Sequence, residues 1–141
     1  MSMKTNIKWH EFRKEVESWG DRLGMPIDKQ MIDLVTTLNL LGVETTMSCE
    51  GHLNKRLPYV HFTENSLETA QNLLLDFYSF KKVNYDCFIT IPFSQNFYRY
   101  RIYLEDRFYF CNLEEQENLL KSSQKEFQNF SIFLLDKFNC I

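Results

Sequence analysis

The most constraining feature of this sequence is the order in which helix-like and strand-like apolar patterns follow one another. Two segments, 9–19 and 28–41, come first, with apolar residues at spacings of three and four. Each segment is followed at once by a glycine, Gly20 or Gly42, which is a typical residue just after the end of a helix. Asp28 stands at the start of the second segment and is expected to cap it. The chain is therefore predicted to open with two helices, of which the second is apolar around most of its circumference and central.

Seven further segments alternate between the two patterns. They are predicted strands at 43–47 and 58–62, a helix at 65–80, strands at 83–92 and 97–104, a short strand at 107–110 and a long helix at 113–138. The order is ααββαββ(β)α, in which strands arrive in pairs. We therefore expect a single α+β domain over residues 1–141, with an antiparallel (mixed) sheet of about four to five strands and helices packed mainly on one face.

Local signals refine the helix ends. Asn65 or Ser66 is expected to open the third helix, and Asn65 with Glu68 has the spacing of a capping box. Asn112 with Glu115 has the same spacing and is expected to open the last helix. The pair Ser122-Ser123 is expected to break the last helix. All four glycines lie at or before Gly51, so the turns of the second half are made without glycine.

Charge and cysteine usage narrow the class of protein. Sixteen basic and nineteen acidic side chains leave a net charge of −3, which argues against a general nucleic-acid binder. The sequence has no apolar run of about 18 residues and no signal-peptide pattern, so we expect neither a membrane segment nor export. The four cysteines form no CxxC pair and are expected to be reduced thiols in the cytoplasm. Aromatic residues, at 16%, exceed what a core needs and make a homo-oligomer interface a further hypothesis.

The segment richest in reactive side chains is Thr45-Thr46-Met47-Ser48-Cys49-Glu50-Gly51-His52. It follows a predicted strand, and strand ends commonly display functional groups. Gly51 permits a positive φ or a close approach to the backbone, and the N–H groups of such a turn can cradle an anion. A purely structural turn is the competing interpretation.

Three functional interpretations of the turn remain open. Cys49 and His52 have CxxH spacing and, with His61 and Cys87, would supply four zinc ligands. Alternatively, Cys49 is a nucleophile activated by His52 or His61. In the third and broadest interpretation, the turn binds a polar or phosphate-bearing small molecule. Its binding residues would be Thr46, Ser48, Gly51 and His61, with Arg99 and Arg101 reaching it from the neighbouring hairpin.

The motif also resembles two known groups of proteins. One comprises small uncharacterised bacterial and phage proteins with a Thr-Thr-x-Ser-Cys-x-Gly-His core, which is preceded by a helix bearing Leu-Asn and a Gly and followed by a strand after a proline. Here the core is Thr45 to His52, the preceding elements are Leu38-Asn39 and Gly42, and the strand is Pro58 to Phe62. More distantly, residues 28–51 resemble the opening of the wybutosine-synthesis methyltransferase family, which uses S-adenosylmethionine to methylate a modified guanosine in tRNA. Met47, Glu50 and His52 replace the Ser, Ser and Arg of that family, so the resemblance implies a related turn more than a related reaction.

These observations favour binding of a polar or anionic, nucleotide-like small molecule at the turn Ser48–His52. The alternative is a small transferase or hydrolase in which His52 is the acid or base, Glu50 orients it, and Cys49 takes part. A zinc-stabilised or homo-oligomeric structural protein is the remaining class. The sequence identifies no cofactor, and zinc binding stays an alternative with no residue assigned as a metal ligand.

Overall fold

A computed structural model describes residues 3–20, 24–53, 56–81, 88–91, 98–102 and 111–141, with residues 3–6 and 98–102 described by their backbone alone. The helices are α1 (Met3–Glu17), α2 (Ile32–Leu40), α3 (Leu67–Phe80) and α4 (Leu113–Asn139). Short 3-10 turns, Lys29–Met31 and Glu64–Ser66, precede α2 and α3. The strands are β1 (Thr45–Cys49), β2 (Tyr59–Phe62), β3 (Ile89–Thr90) and β4 (Tyr98–Ile102).

The described strands pair in the order β1-β2-β4-β3, and every pairing is antiparallel. Cys49 lies opposite Tyr59 and Met47 opposite His61, with an irregularity between Thr45 and Met47. Helices and an antiparallel sheet together confirm the α+β class. The fuller sheet of four to five strands with helices mainly on one face stays a prediction. The expected strand at 107–110 and Cys87 lie outside the described residues.

Helix α2 is the centre of the core, as its apolar circumference predicted. Six of its nine residues are buried, and the helix contacts both α1 and α4. The same core cluster includes Val60 and Phe62 of β2, which alternate with the half-buried Tyr59 and His61. On α4, Phe130 and Leu134 are fully buried and belong to the same cluster. The expected helical spacing of the apolar residues therefore builds one continuous core.

Two of the expected capping bonds do not form, one at Asp28 and one between Asn65 and Glu68, although Ser66, the expected alternative to Asn65, does stand at the N-cap position of α3. Asp28 precedes the first 3-10 turn but makes no capping bond; its Oδ2 accepts from the Glu50 N–H at 2.9 Å. Asn65 and Glu68 form no capping box either, because α3 begins after a 3-10 turn and its N-cap residue, Ser66, makes no side-chain capping bond. The Ser66 hydroxyl instead accepts from the Glu44 N–H at 2.9 Å.

The last helix begins as expected but does not break. Asn112 Oδ1 accepts from the Glu115 N–H at 2.8 Å, which satisfies one of the first amide groups of α4. The helix then continues through Ser122-Ser123 for 27 residues. Ser123 is buried and its hydroxyl donates to the Leu119 carbonyl at 2.7 Å, one turn back in the same helix. This local bond accommodates a serine without a break.

A buried carboxylate ties α3 to α4 and to the edge strand β3. Glu126 of α4 is only 4% exposed, and it receives the ammonium group of Lys81 and the Tyr78 hydroxyl, the latter at 3.2 Å. The same Tyr78 oxygen accepts from the Ile89 N–H at 2.6 Å. Buried charge needs such partners to be tolerated.

Among the described helices, none is long and apolar enough to cross a membrane.

Candidate functional site

The turn after β1 depends on a glycine that has no room for a side chain. Gly51 is buried and has φ of +86°, a backbone conformation that favours glycine. A Cβ atom there would lie 2.6 Å from Leu120 Cδ1 and 3.0 Å from both Cδ and N of Pro58. The backbone of the turn therefore lies directly against α4 and the start of β2.

Three side chains of different chemistry meet beside this glycine. A carboxylate oxygen of Asp28, the Cys49 Sγ and a ring nitrogen of His52 lie within 4.8 Å of one another. Asp28 is half-buried, Cys49 is buried and His52 is exposed, so the cluster runs from the interior to the surface. The CxxH spacing of Cys49 and His52 thus brings the two together, and Asp28, 21 positions before Cys49 in the sequence, completes the group.

Hydrogen bonds hold the backbone on either side of the cluster. The Glu50 N–H donates to Asp28, and the Glu50 carbonyl accepts from Gln124 Nε2 of α4 at 2.9 Å. His52 exchanges two backbone bonds with Arg56, at 2.9 and 3.1 Å, which close the loop after the turn. The backbone of the turn is therefore held by Asp28, which precedes α2, and by Gln124 of α4.

The environment of Cys49 favours the neutral thiol. Burial raises the pKa of this thiol, and the nearby Asp28 carboxylate adds to the effect, although the Gly51 N–H, 3.4 Å from Sγ, works in the opposite direction. A reactive cysteine normally has a lowered pKa. The nucleophile hypothesis therefore gains no support from the surroundings of Cys49.

Other residues expected in the site lie elsewhere. Thr46 and Ser48 line a separate cavity of about 50 Å³ beside Trp19, too small for a nucleotide. His61 is half-buried on β2, where its ring centroid lies 4.7 Å from that of Tyr59, and it is not part of the three-residue cluster.

The two arginines expected near the turn lie on β4. The backbone register places Arg99 opposite His61 and Arg101 opposite Tyr59, so that β2 separates them from β1. That their guanidinium groups reach the turn stays a prediction.

A groove of about 620 Å³ opens next to the turn, between the residues leading into α2 and one face of α4. Glu50 is part of its wall. The other polar residues of the wall come from two segments: Lys29, Gln30 and Asp33 from the first, and Lys121, Gln124, Lys125, Gln128 and Ser131 from α4. No sequence pattern predicted this groove. Its only signal was the spacing of three and four among the polar residues of α4, which equally fits a solvent-facing helix surface.

Comparisons with protein-family models, curated proteins and solved structures found no match to this chain. The function is therefore argued from the geometry of the turn, the cluster and the groove.

Proposed function

We propose that this protein binds a small anionic molecule, of the size and polarity of a nucleotide, in the groove beside the Cys49–His52 turn. The observation that carries the proposal is the concentration of lysines around a groove that touches the turn, on a chain whose net charge is −3. A groove lined by lysines on an acidic protein attracts anions to one place.

The charge balance of the groove favours an anion. Three lysines, at 29, 121 and 125, stand against the two carboxylates Asp33 and Glu50. Asp33 accepts from Arg13 Nε at 2.6 Å, and Arg13 also pairs with Glu17, so this carboxylate is partly engaged outside the groove. Three lysines against two carboxylates leave the side chains of the wall with a net charge of +1.

The lysines can turn to a ligand at little cost. Lys29, Lys121 and Lys125 are exposed. Lys121 pairs with Glu117 at 3.1 Å, and both side chains are more than half exposed. Such a surface ion pair contributes at most about 1 kcal/mol, so a phosphate group can replace the glutamate.

The rest of the wall suits the uncharged part of a nucleotide-like ligand. Gln30, Gln128 and Ser131 supply hydrogen-bond donors and acceptors, and Phe127 and Ile132 supply apolar surface. A volume of 620 Å³ lies within the range of about 300–1,000 Å³ typical of small-molecule sites. The groove thus combines charge, hydrogen bonding and apolar contact.

Gln124 connects the groove to the turn. It lines the groove and at the same time donates to the Glu50 carbonyl. A ligand that contacts Gln124 would therefore act on the same hydrogen bond that holds Glu50. This supports a role for the turn in binding through its backbone groups, and not through Cys49 as a nucleophile.

Thermal unfolding of the purified protein against nucleoside mono-, di- and triphosphates tests the proposal, with S-adenosylmethionine, which has a net positive charge, as the comparison that is not an anion. A ligand at about 100 times its Kd stabilises the native state by about 2.7 kcal/mol, which is a measurable rise in Tm. Lys121→Gln with Lys125→Gln should reduce that rise. The double variant Lys8→Gln with Lys14→Gln is the control, because it changes the net charge equally at exposed sites of α1.

Two results would refute the proposal. One is that no anion in the panel raises the Tm. The other is that the groove variant and the α1 variant respond equally, which would show a general effect of charge. The expected homo-oligomer and the cytoplasmic location stay predictions beside this one; light scattering measures the first and fractionation the second.

A further inference from the structure

We infer that Asp28, Cys49 and His52 form a site for a divalent transition metal, zinc foremost, with three protein ligands and a fourth position open. The inference rests on the three-residue cluster and does not depend on the anion proposed for the groove. It also differs from the zinc set expected from the sequence, because Asp28 takes the place of His61 and Cys87.

The donor atoms are already close to the separation that one ion requires. Zinc binds sulfur at about 2.3 Å and nitrogen or oxygen at about 2.0–2.2 Å, so tetrahedral ligands around one ion lie about 3.5 Å apart. The atoms of Asp28, Cys49 and His52 lie within 4.8 Å of one another. A shift of about 1 Å in side chains closes the difference, and the exposed imidazole of His52 can make it by rotation.

The surroundings of the three donors match what a metal site needs. Ligating carboxylates are usually held by a hydrogen bond from a second residue. Here the Glu50 N–H holds Asp28 Oδ2 at 2.9 Å, and the second carboxylate oxygen supplies further acceptor capacity. The Gly51 N–H lies 3.4 Å from Cys49 Sγ, where it would support a thiolate. The backbone bonds between His52 and Arg56 fix the main chain that carries the third ligand.

The mixed donor set selects the class of metal. Thiolate and imidazole ligands favour zinc and related transition ions, whereas magnesium and calcium prefer oxygen. Binding releases the Cys49 proton to solvent, and the carboxylate and thiolate then balance the charge of the ion. Three ligands are too few to close a structural zinc site, so water or an exogenous group would occupy the fourth position. The exposed His52 marks the side from which the ion enters.

Cobalt(II) titration of the full chain, reduced and stripped with a chelator, tests this site. We expect one cobalt per chain, with thiolate-to-cobalt absorption in the near ultraviolet and visible bands of a four-coordinate ion. Zinc should displace the cobalt and raise the Tm. His52→Gln should weaken binding at least about tenfold, and Cys49→Ser should remove the thiolate absorption.

Matched controls separate this site from other ligands in the chain. His10→Gln and Cys140→Ser change exposed residues outside the cluster and should bind cobalt like the parent. Because His52 is exposed, His52→Gln is expected to fold, and its far-ultraviolet circular dichroism checks this. Absence of stoichiometric cobalt binding overturns the inference. So does a folded His52→Gln protein with parental affinity, or thiolate absorption that is lost with Cys140 and kept without Cys49.

Discussion

Replacement of Gly51 by alanine should be the most damaging glycine-to-alanine change in the described chain, because two separate costs add. The backbone at φ of +86° disfavours any residue with a Cβ, at about 1–2 kcal/mol. The new methyl group would also lie 2.6 Å from Leu120 Cδ1 and 3.0 Å from the ring and backbone of Pro58. Overpacking of this kind typically costs about 1–3 kcal/mol. The expected loss in the free energy of unfolding is therefore about 2–5 kcal/mol.

Gly42→Ala isolates the first of these costs. Gly42 has φ of +95°, is exposed, and a Cβ there would lie 3.8 Å from Thr69 Cγ2, an ordinary contact. It should lose only the backbone term, about 1–2 kcal/mol. Chemical denaturation of both variants, followed by circular dichroism, gives the comparison. In thermal unfolding, Gly51→Ala should lower the Tm by about 4–20 °C, since 1 kcal/mol corresponds to about 2–4 °C in a domain of this size.

A second change tests where the overlap lies. Leu120→Ala removes the atom closest to the new methyl group, so in the Gly51→Ala background it should cost less than in the parent protein. If the losses in free energy of unfolding for Gly51→Ala and Gly42→Ala agree within about 0.5 kcal/mol, the added methyl group meets no steric overlap with α4, and the prediction is refuted.

Two further predictions concern buried charge and thiol chemistry. Lys81→Met should lower the free energy of unfolding by about 2–3 kcal/mol, because the buried Glu126 carboxylate then keeps only the Tyr78 hydroxyl of its two partners among the described residues. The added change Glu126→Gln should recover part of that loss in a double-mutant cycle, and additive losses would contradict the prediction. Burial raises the pKa of the Cys49 thiol, so its thiolate forms only at higher pH. An alkylating reagent should therefore modify the exposed Cys140 first and Cys49 only as the pH is raised, and peptide mass mapping measures both rates. Equal rates of alkylation at neutral pH would argue against the buried environment of Cys49.

Features that depend on neighbouring residues were predictable from the sequence. The cap of α4 needs only Asn112 and the amide of Glu115, three positions apart, and it forms as expected. The apolar spacing of α2 likewise predicted a central helix. In both cases the partners are set by the geometry of one helix.

Features that depend on distant partners were not predictable in this way. Asp28 has the sequence signature of a helix cap, yet the Glu50 amide, 22 positions later, takes its carboxylate. Ser66 is used in the same manner by the Glu44 amide. The spacing of Cys49 and His52 pointed to the cluster, but no local pattern could name its third member. Long-range contacts of this kind depend on the packing of whole elements, which single-sequence periodicity does not contain.

The hydrogen bond from Gln124 to Glu50 joins residues 74 positions apart, and it has a consequence for the order of events during synthesis. A ribosome releases the turn long before it releases α4, which supplies Gln124, the Leu120 contact and one wall of the groove. Until α4 docks, the turn lacks these supports and the groove has one side only. Binding competence should therefore appear late and abruptly as nascent chains lengthen past α4, since domains generally fold as units.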